Sequence, residues 1–312
     1  MFCGIFFARS LSPAGFPRSR FRTDSNAIAA FLIEGPEGLV LIETGPESTR
    51  KNLLAAIQNL GFSAEKDIAA IFVTHIHLDH AGAAGWFAGQ GIPVHVHHRG
   101  AKHLVDPARL VESARMVYGA RFESLWGEMQ PAPEDKIISL EDGDITEIAG
   151  LKIRAIDTPG HAYHHHAFAI GGTLFAGDTA GAKIPGSDYI SVTSAPPQFN
   201  QEAYFESLDR LSGEKFERCF LTHFGEIDTD PETHFEACKA AIRNAVLFVK
   251  DRLDEKHSPD ELHIAYTAFQ MERAFKAEVP PHIVQTIEAV NRNEMCADGI
   301  RLYLEKLEEA TK

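Results

Sequence analysis

Four side chains that can bind a metal ion lie within six residues of this sequence. Residues 70–82 read AIFVTHIHLDHAG and supply His75, His77, Asp79 and His80. Imidazole nitrogens and carboxylate oxygens suit zinc, iron or manganese. The first two histidines can converge on one ion, and the Asp-His pair can project toward a second. This density predicts a metal-dependent reaction centre, because unrelated histidines of a polar loop are rarely so close together.

Three further candidate ligands follow predicted strands. His161 ends the segment DTPGH, Asp178 lies in FAGDTAG and His223 lies in LTHFG. Each has an ordinary alternative, since Asp is a favoured helix cap and single histidines are common. In DTPGH, Gly160 would permit close backbone approach. Taken together and in this order, the three predict ligands on loops at strand ends, where a rigid scaffold carries its chemistry.

Hydrophobic periodicity predicts the elements that deliver these ligands. Two apolar runs around Gly-Pro-Glu-Gly predict a β-hairpin that ends near Glu43, and a helix follows over 48–60. Short strands are predicted at 70–73 and 92–97, and several more between 136 and 178. We predict an N-terminal tail or edge segment over 1–25, a catalytic core over 26–230 with a helical insertion at about 100–131, and a C-terminal helical region over 231–312.

Composition and charge narrow the class of partner. The 312 residues are 44% hydrophobic and carry a formal charge of −14, which argues against nucleic acid and anionic membranes as partners. No apolar stretch is long enough for a membrane span. The four cysteines form no CxxC pair, and the basic residues follow the apolar N-terminus, opposite to a secretory signal. These features predict a cytoplasmic protein with free thiols. We expect a small-molecule substrate and leave open whether the protein forms a homodimer.

The combined motifs resemble those of the metallo-β-lactamase superfamily. THIHLDH resembles its HxHxDH signature, and Glu43-Thr44-Gly45 resembles its early carboxylate motif, with Glu where Asp is usual. DTPGH resembles the third-histidine motif, Gly177-Asp178 the bridging carboxylate and THFG the last histidine. The resemblance covers roughly residues 27–225. It implies a mixed α/β fold, the αββα sandwich, and the C-terminal helices resemble those of the glyoxalase II-like branch.

The resemblance also implies a ligand set for two divalent metal ions, zinc foremost, with iron or manganese as alternatives. One ion would be bound by His75, His77 and His161, and the other by Asp79, His80 and His223, with Asp178 bridging. Glu43 and Thr74 are expected to orient ligands from behind. His165 occupies the place where glyoxalase II-like sequences often have a second histidine. Asp79 is the candidate catalytic residue, orienting the nucleophilic water or carrying its proton.

The predicted reaction is hydrolysis of an ester, thioester or lactone by a metal-bridging hydroxide, with glyoxalase II-like activity nearest. No GxSxG-type nucleophile elbow is present. One alternative is an oxidoreductase resembling the persulfide dioxygenases, which use a single iron at counterparts of His75, His161 and Asp178. Another is a ligand-binding protein of this fold with little turnover. We expect substrate contacts from Tyr163, Lys183, Tyr189 and Phe199, and structural or surface roles for His95, His97, His98, His164 and His166.

Overall fold

The computed structural model describes residues 2–9 and 26–310, in which strands and helices alternate before a helical C-terminal region. These residues divide into two compact units. Unit 1 falls within Met1–Asp157 and His166–Ala176, and unit 2 comprises Thr158–His165 and Gly177–Lys312. The domain boundaries proposed from the sequence stay predictions.

The first sheet of unit 1 has, in the described residues, six strands in chain order. They are β1 (Phe2–Arg9), β2 (Asn26–Gly35), β3 (Gly38–Ile42), β4 (Ile68–Phe72), β5 (Val94–His97) and β6 (Ile137–Leu140). All neighbours are parallel except β2 and β3, which form the hairpin expected from Gly-Pro-Glu-Gly. Residues 10–25, part of the predicted tail or edge segment, lie outside the described residues. The central strands are buried on both faces, which explains their nearly continuous apolar runs.

A second, antiparallel set of strands packs on this sheet within unit 1. It comprises β7 (Ile145–Ile148), β8 (Leu151–Asp157), β9 (His166–Ile170) and β10 (Thr173–Gly177). The ring centroids of Phe31 and Phe175 lie 5.2 Å apart, and those of Phe72 and Phe168 lie 5.3 Å apart. These aromatic pairs join the two inner faces, so the core of unit 1 lies between the sheets.

Helices cover the sheets of unit 1. In the part of the chain that the structure describes they are α1 (Arg50–Asn59), α2 (Ala64–Asp67), α3 (Leu78–Ala81), α4 (Ala84–Gly89), α5 (His98–Val105), α6 (Ala108–Tyr118) and α7 (Phe122–Leu125). The predicted helix over 48–60 ends before Gly61, whose φ of +90° suits the residue that terminates a helix. The predicted insertion is a run of three helices, α5 to α7.

Unit 2 is mainly helical. Two short hairpins, β11 (Ala182–Lys183) with β12 (Ile190–Ser191) and β13 (Arg218–Leu221) with β14 (Gly225–Glu226), accompany α8 (Gln201–Gly213). The C-terminal helices are α9 (Pro231–Asp254), α10 (Pro259–Lys276), α11 (Pro281–Val290) and α12 (Asn293–Ala310). Three of them begin with proline, whose fixed φ and missing N–H suit the first helical position. Within residues 2–9 and 26–310, no helix is both long and apolar enough to cross a membrane.

Candidate metal centre

The turn after β4 brings together the ligands predicted for it. His75 and His80 are fully buried, while His77 and Asp79 are partly exposed. His75 Nε2 lies 2.9 Å from His77 Nδ1. His80 Nε2 lies 3.6 Å from Asp79 Oδ2. The turn thus presents two pairs of donor atoms, the same two pairs that the spacing predicts for two ions.

A buried carboxylate and hydroxyl hold two of these histidines from behind. The Thr74 hydroxyl donates to Glu43 Oε1 at 2.6 Å, and the same oxygen lies 3.0 Å from His80 Nδ1. Because a carboxylate accepts, His80 carries its proton on Nδ1 and keeps the Nε2 lone pair. The Thr74 hydroxyl already donates its only proton to Glu43, so its oxygen accepts a hydrogen bond from His75 Nδ1 at 3.1 Å. Glu43 has a φ of 65°, a conformation that favours glycine, so its backbone is strained at this point.

Unit 2 carries the other three predicted ligands, all nearly fully buried. His161 Nε2 lies 3.5 Å from Asp178 Oδ2. His223 Nε2 lies 3.3 Å from Asp178 Oδ1. The two oxygens of one carboxylate therefore face two different histidines. This is the arrangement expected of a carboxylate that bridges two cations.

Two side chains that the sequence did not single out hold this arrangement. The Thr193 carbonyl accepts from His161 Nδ1 at 2.9 Å, and the Thr193 hydroxyl donates to the Asp178 carbonyl at 2.8 Å. The Tyr204 hydroxyl donates to the same carbonyl at 2.5 Å. Burial raises the pKa of Tyr204 well above its ordinary value, so the hydroxyl stays protonated. Gly160 (φ +134°) packs against Tyr204, and a Cβ added there would lie 2.4 Å from the tyrosine Cα, so no larger residue fits.

His165 uses both ring nitrogens in hydrogen bonds within unit 2. The backbone N–H of Asp178 donates to its Nε2 at 3.1 Å. Its Nδ1 therefore carries the proton and donates to the Thr158 hydroxyl at 2.7 Å. This geometry makes His165 a support of the Asp178 backbone and leaves no lone pair for an ion.

The histidine tautomers test whether the donor set suits a metal. His75, His80 and His161 each have Nδ1 bonded to an oxygen that accepts, so each keeps its Nε2 lone pair. Metal-bound histidines usually donate their other N–H to a carboxylate, carbonyl or similar acceptor. With His and Asp donors and no thiolate, the ligands in each unit fit zinc, iron or manganese.

The histidines expected to be structural or on the surface are mostly buried. His95 stacks on Phe72 at 4.4 Å, and burial lowers its pKa to about 4, so it is neutral at pH 7. His97 Nε2 and His166 Nε2 lie 3.3 and 2.6 Å from Asp157 Oδ1. Burial alone would raise the pKa of Asp157, but the two imidazoles outweigh it and lower that pKa far below its usual range.

A metal ion does not fit this second histidine cluster as well as it fits the first. The backbone N–H of Arg99 donates to His97 Nδ1 at 3.0 Å. The proton of His97 is then on Nε2, pointed at the Asp157 carboxylate, where a metal would need a lone pair. We therefore interpret His97, Asp157 and His166 as a structural cluster in which two imidazoles lie against one carboxylate oxygen.

Three of the four side chains expected to contact substrate are buried. Tyr189 and Phe199 are only 5% and 3% exposed, and buried Lys183 forms an ion pair with Asp228. Tyr163 is 42% exposed. Substrate contact by these four residues stays a prediction.

Comparison with known proteins identifies the family. Residues 24–223 match the sequence model of the metallo-beta-lactamase superfamily. The metallo-beta-lactamase fold-containing protein ST1585 of Sulfurisphaera tokodaii is 29% identical over 199 residues, 59% of this chain and 72% of that protein. A hydroxyacylglutathione hydrolase of Idiomarina loihiensis is 27% identical over 224 residues, 72% of this chain and 70% of that protein.

Solved structures agree with the fold. The crystal structure of ST1585 has a TM-score of 0.57 at 27% identity, covering 68% of this chain and 78% of that one. The family protein TTHA1429 of Thermus thermophilus has a TM-score of 0.63 at 24% identity and covers 90% of this chain and 88% of its own, a likeness of fold alone. The fold class predicted from the motifs, an αββα sandwich with a C-terminal helical extension, is confirmed. The chain belongs to the metallo-β-lactamase superfamily.

Proposed function

We propose that this protein is a dinuclear metal-dependent hydrolase that cleaves an ester, thioester or lactone. The observation that carries the proposal is the placement of the Asp178 carboxylate, whose two oxygens face His161 and His223. These histidines belong to the two different predicted ligand sets, one for each ion. Two histidine partners on opposite oxygens favour two ions that share it.

The ligand assignment extends the family pattern to this chain. His75, His77 and His161 would bind one ion, Asp79, His80 and His223 the other, and Asp178 would bridge them. Within unit 1 the assignment is supported by the close pairs His75–His77 and Asp79–His80.

The chemistry divides between the bound ions and the protein. When bound, two divalent ions lower the pKa of a shared water, so that hydroxide is available at neutral pH, and polarise the carbonyl that is attacked. The chain holds the ligands in one tautomer, through Glu43 on His80 and the Thr193 carbonyl on His161. Asp79, still partly exposed, would accept a hydrogen bond from the nucleophilic water and take its proton.

Two relatives favour acyl substrates. One is the Idiomarina loihiensis protein named as a hydroxyacylglutathione hydrolase. The other, named as an atrochrysone carboxyl ACP thioesterase of Aspergillus fumigatus, is 28% identical over 142 residues, 45% of this chain and 36% of that protein. Both names describe cleavage of a thioester, so we place a thioester first among the three candidate bonds. A cytoplasmic location, a small-molecule substrate and a homodimer stay predictions.

The proposal is tested by metal analysis followed by a substrate panel of thioesters, esters and lactones. Two ions per chain and metal-dependent hydrolysis support it. One iron per chain with oxygen uptake would replace it with the oxidoreductase alternative, and bound metal without turnover would favour a binding protein.

Two variants test directly whether the Asp178 carboxylate bridges two ions. Asp178→Asn keeps the shape but turns one oxygen into an amide nitrogen, which cannot bind a cation, so we expect about one ion per chain and loss of hydrolysis. Asp228→Asn is the matched control, because that carboxylate lies in the same unit but pairs with Lys183. Two tightly bound ions in Asp178→Asn would refute the bridging role.

A further inference from the structure

A buried segment of unit 2, residues 191–195 (SVTSA), connects the predicted ligands with the C-terminal helices. We call it the strap. All five residues are at most 8% exposed. Its central residue, Thr193, accepts from His161 Nδ1 through its carbonyl and donates to the Asp178 carbonyl through its hydroxyl. The position of the strap therefore sets the direction of one ligand ring and the backbone of another ligand.

The residue that follows α11 holds the strap on one side of Thr193. Asn291 is 4% exposed, and its side-chain amide donates to Ser191 Oγ at 2.8 Å and to the Val192 carbonyl at 2.9 Å. Its amide oxygen accepts from the Cys296 thiol at 3.0 Å, and that thiol also contacts the Val192 carbonyl at 3.3 Å. Asn291 is thus oriented by α12 while it binds the strap backbone next to Thr193.

Helix α12 holds the strap on the other side of Thr193. The Ser194 hydroxyl donates to the Cys296 carbonyl at 3.1 Å. At Gly299 the helix approaches the strap so closely that an added Cβ would lie 1.8 Å from the Ser194 carbonyl oxygen. Since that oxygen belongs to the backbone, any larger residue must move either the strap or the helix.

We propose that Asn291 and Gly299 are positioning residues, through which the C-terminal helices fix the orientation of His161 and Asp178 for metal binding. The inference rests on the proposed ligand roles of those two residues. If the strap moves away, the Thr193 carbonyl no longer holds the proton on His161 Nδ1, and the imidazole can rotate or change tautomer. Loss of such a partner behind a metal ligand typically weakens metal binding about 10- to 100-fold.

The test measures zinc affinity and stoichiometry by competition with a chromophoric chelator. Asn291→Ala removes both donors to the strap, and Gly299→Ala pushes on the Ser194 carbonyl. For each we expect at least about tenfold weaker binding of zinc, together with a fall in the number of ions retained against the chelator. Cys296→Ala removes only the weak thiol contacts, so we expect a smaller loss, about two- to threefold.

A control separates positioning from general stability. Ser258 caps α10 in a capping box with Glu261, far from the strap in sequence and with no hydrogen bond to it in the described residues. Ser258→Ala should lower the midpoint of thermal unfolding while leaving zinc affinity unchanged. A melting curve for each metal-free variant shows how much stability each has lost.

The outcomes are distinct. Weaker zinc binding by Asn291→Ala, with wild-type affinity in Ser258→Ala, supports the inference. Equal affinity in Asn291→Ala and the wild type overturns it while the proposed function stands. If the wild type binds no zinc, iron or manganese, the proposed function and this inference both fail. Should Asn291→Ala not fold, Gly299→Ala decides, and wild-type zinc affinity there overturns the inference.

Discussion

Removing one buried hydroxyl should measure how firmly Asp178 is held. Tyr204 is fully buried in α8, and its hydroxyl donates to the Asp178 carbonyl at 2.5 Å. The Thr193 hydroxyl, which donates to the same carbonyl, lies 2.8 Å from the Tyr204 hydroxyl. Tyr204→Phe keeps the ring, so it opens no large cavity. The Asp178 carbonyl keeps its bond from Thr193, so no buried acceptor is orphaned.

The magnitude follows from the bond that is lost. A net intramolecular hydrogen bond contributes about 0.5–1.5 kcal/mol, and Tyr204→Phe removes one. We therefore expect the free energy of unfolding of the metal-free protein to fall by about 0.5–1.5 kcal/mol. With a urea m-value of about 2–3 kcal/mol/M, the unfolding midpoint should fall by roughly 0.2–0.6 M at unchanged m.

The assay is urea unfolding followed by circular dichroism, with Tyr163→Phe as the matched control. Tyr163 lies in the same unit and is 42% exposed, so water can replace any bond that its hydroxyl makes. That variant should lose less than about 0.5 kcal/mol. If Tyr204→Phe lowers stability no more than Tyr163→Phe does, the Tyr204 hydroxyl does not hold Asp178 and this reasoning is refuted.

Three more predictions concern the ligand turn and a buried histidine. His80→Ala should reduce metal content from two ions to about one, measured by elemental analysis, and two retained ions would exclude His80 as a ligand. Asp79→Asn should lower kcat about 10²- to 10⁴-fold, and full turnover at full metal content would remove its proton-transfer role. The pKa of His95 is about 4 in the folded protein and about 6.5 in the unfolded chain. Between pH 4 and pH 6.5 the unfolded chain therefore binds a proton at His95 that the folded protein does not. Stability should fall as pH drops from 6.5 to 4, by up to about 1.4 kcal/mol per pH unit, and His95→Phe should flatten that slope in urea titrations.

Much of the scaffold could be predicted because its signals are local. The hairpin of β2 and β3 follows from two apolar runs around a short turn, and the C-terminal helices follow from their period and their proline starts. Ligand pairs within the turn after β4 are also local, since they lie only a few residues apart. These features join residues that are close together in the sequence, so residue spacing alone is enough to predict their geometry.

The histidines beside the strands show what local patterns leave open. Alternation along β5 favoured structural or surface roles for His95 and His97, and their burial agrees with a structural role. Nothing in the pattern indicated that Asp157, 60 residues later, would face His97, because strand pairing decides which distant side chains meet. Lys183 was likewise expected to face substrate, although its partner Asp228 neutralises it in the interior of unit 2.

The sequence by itself determined the family, the order of the motifs and the seven candidate ligands, because those depend on residue type and spacing. Only the tertiary structure decided what holds the ligands. Thr193 and Tyr204 meet Asp178 from 15 and 26 residues away, and Asn291 reaches the strap across about 100 residues. Such contacts form when separate helices and loops pack together, and the hydrophobic periodicity of the sequence does not predict them. The turn after β4 supplies predicted metal donors, and tertiary packing sets the tautomers of His75, His80 and His161.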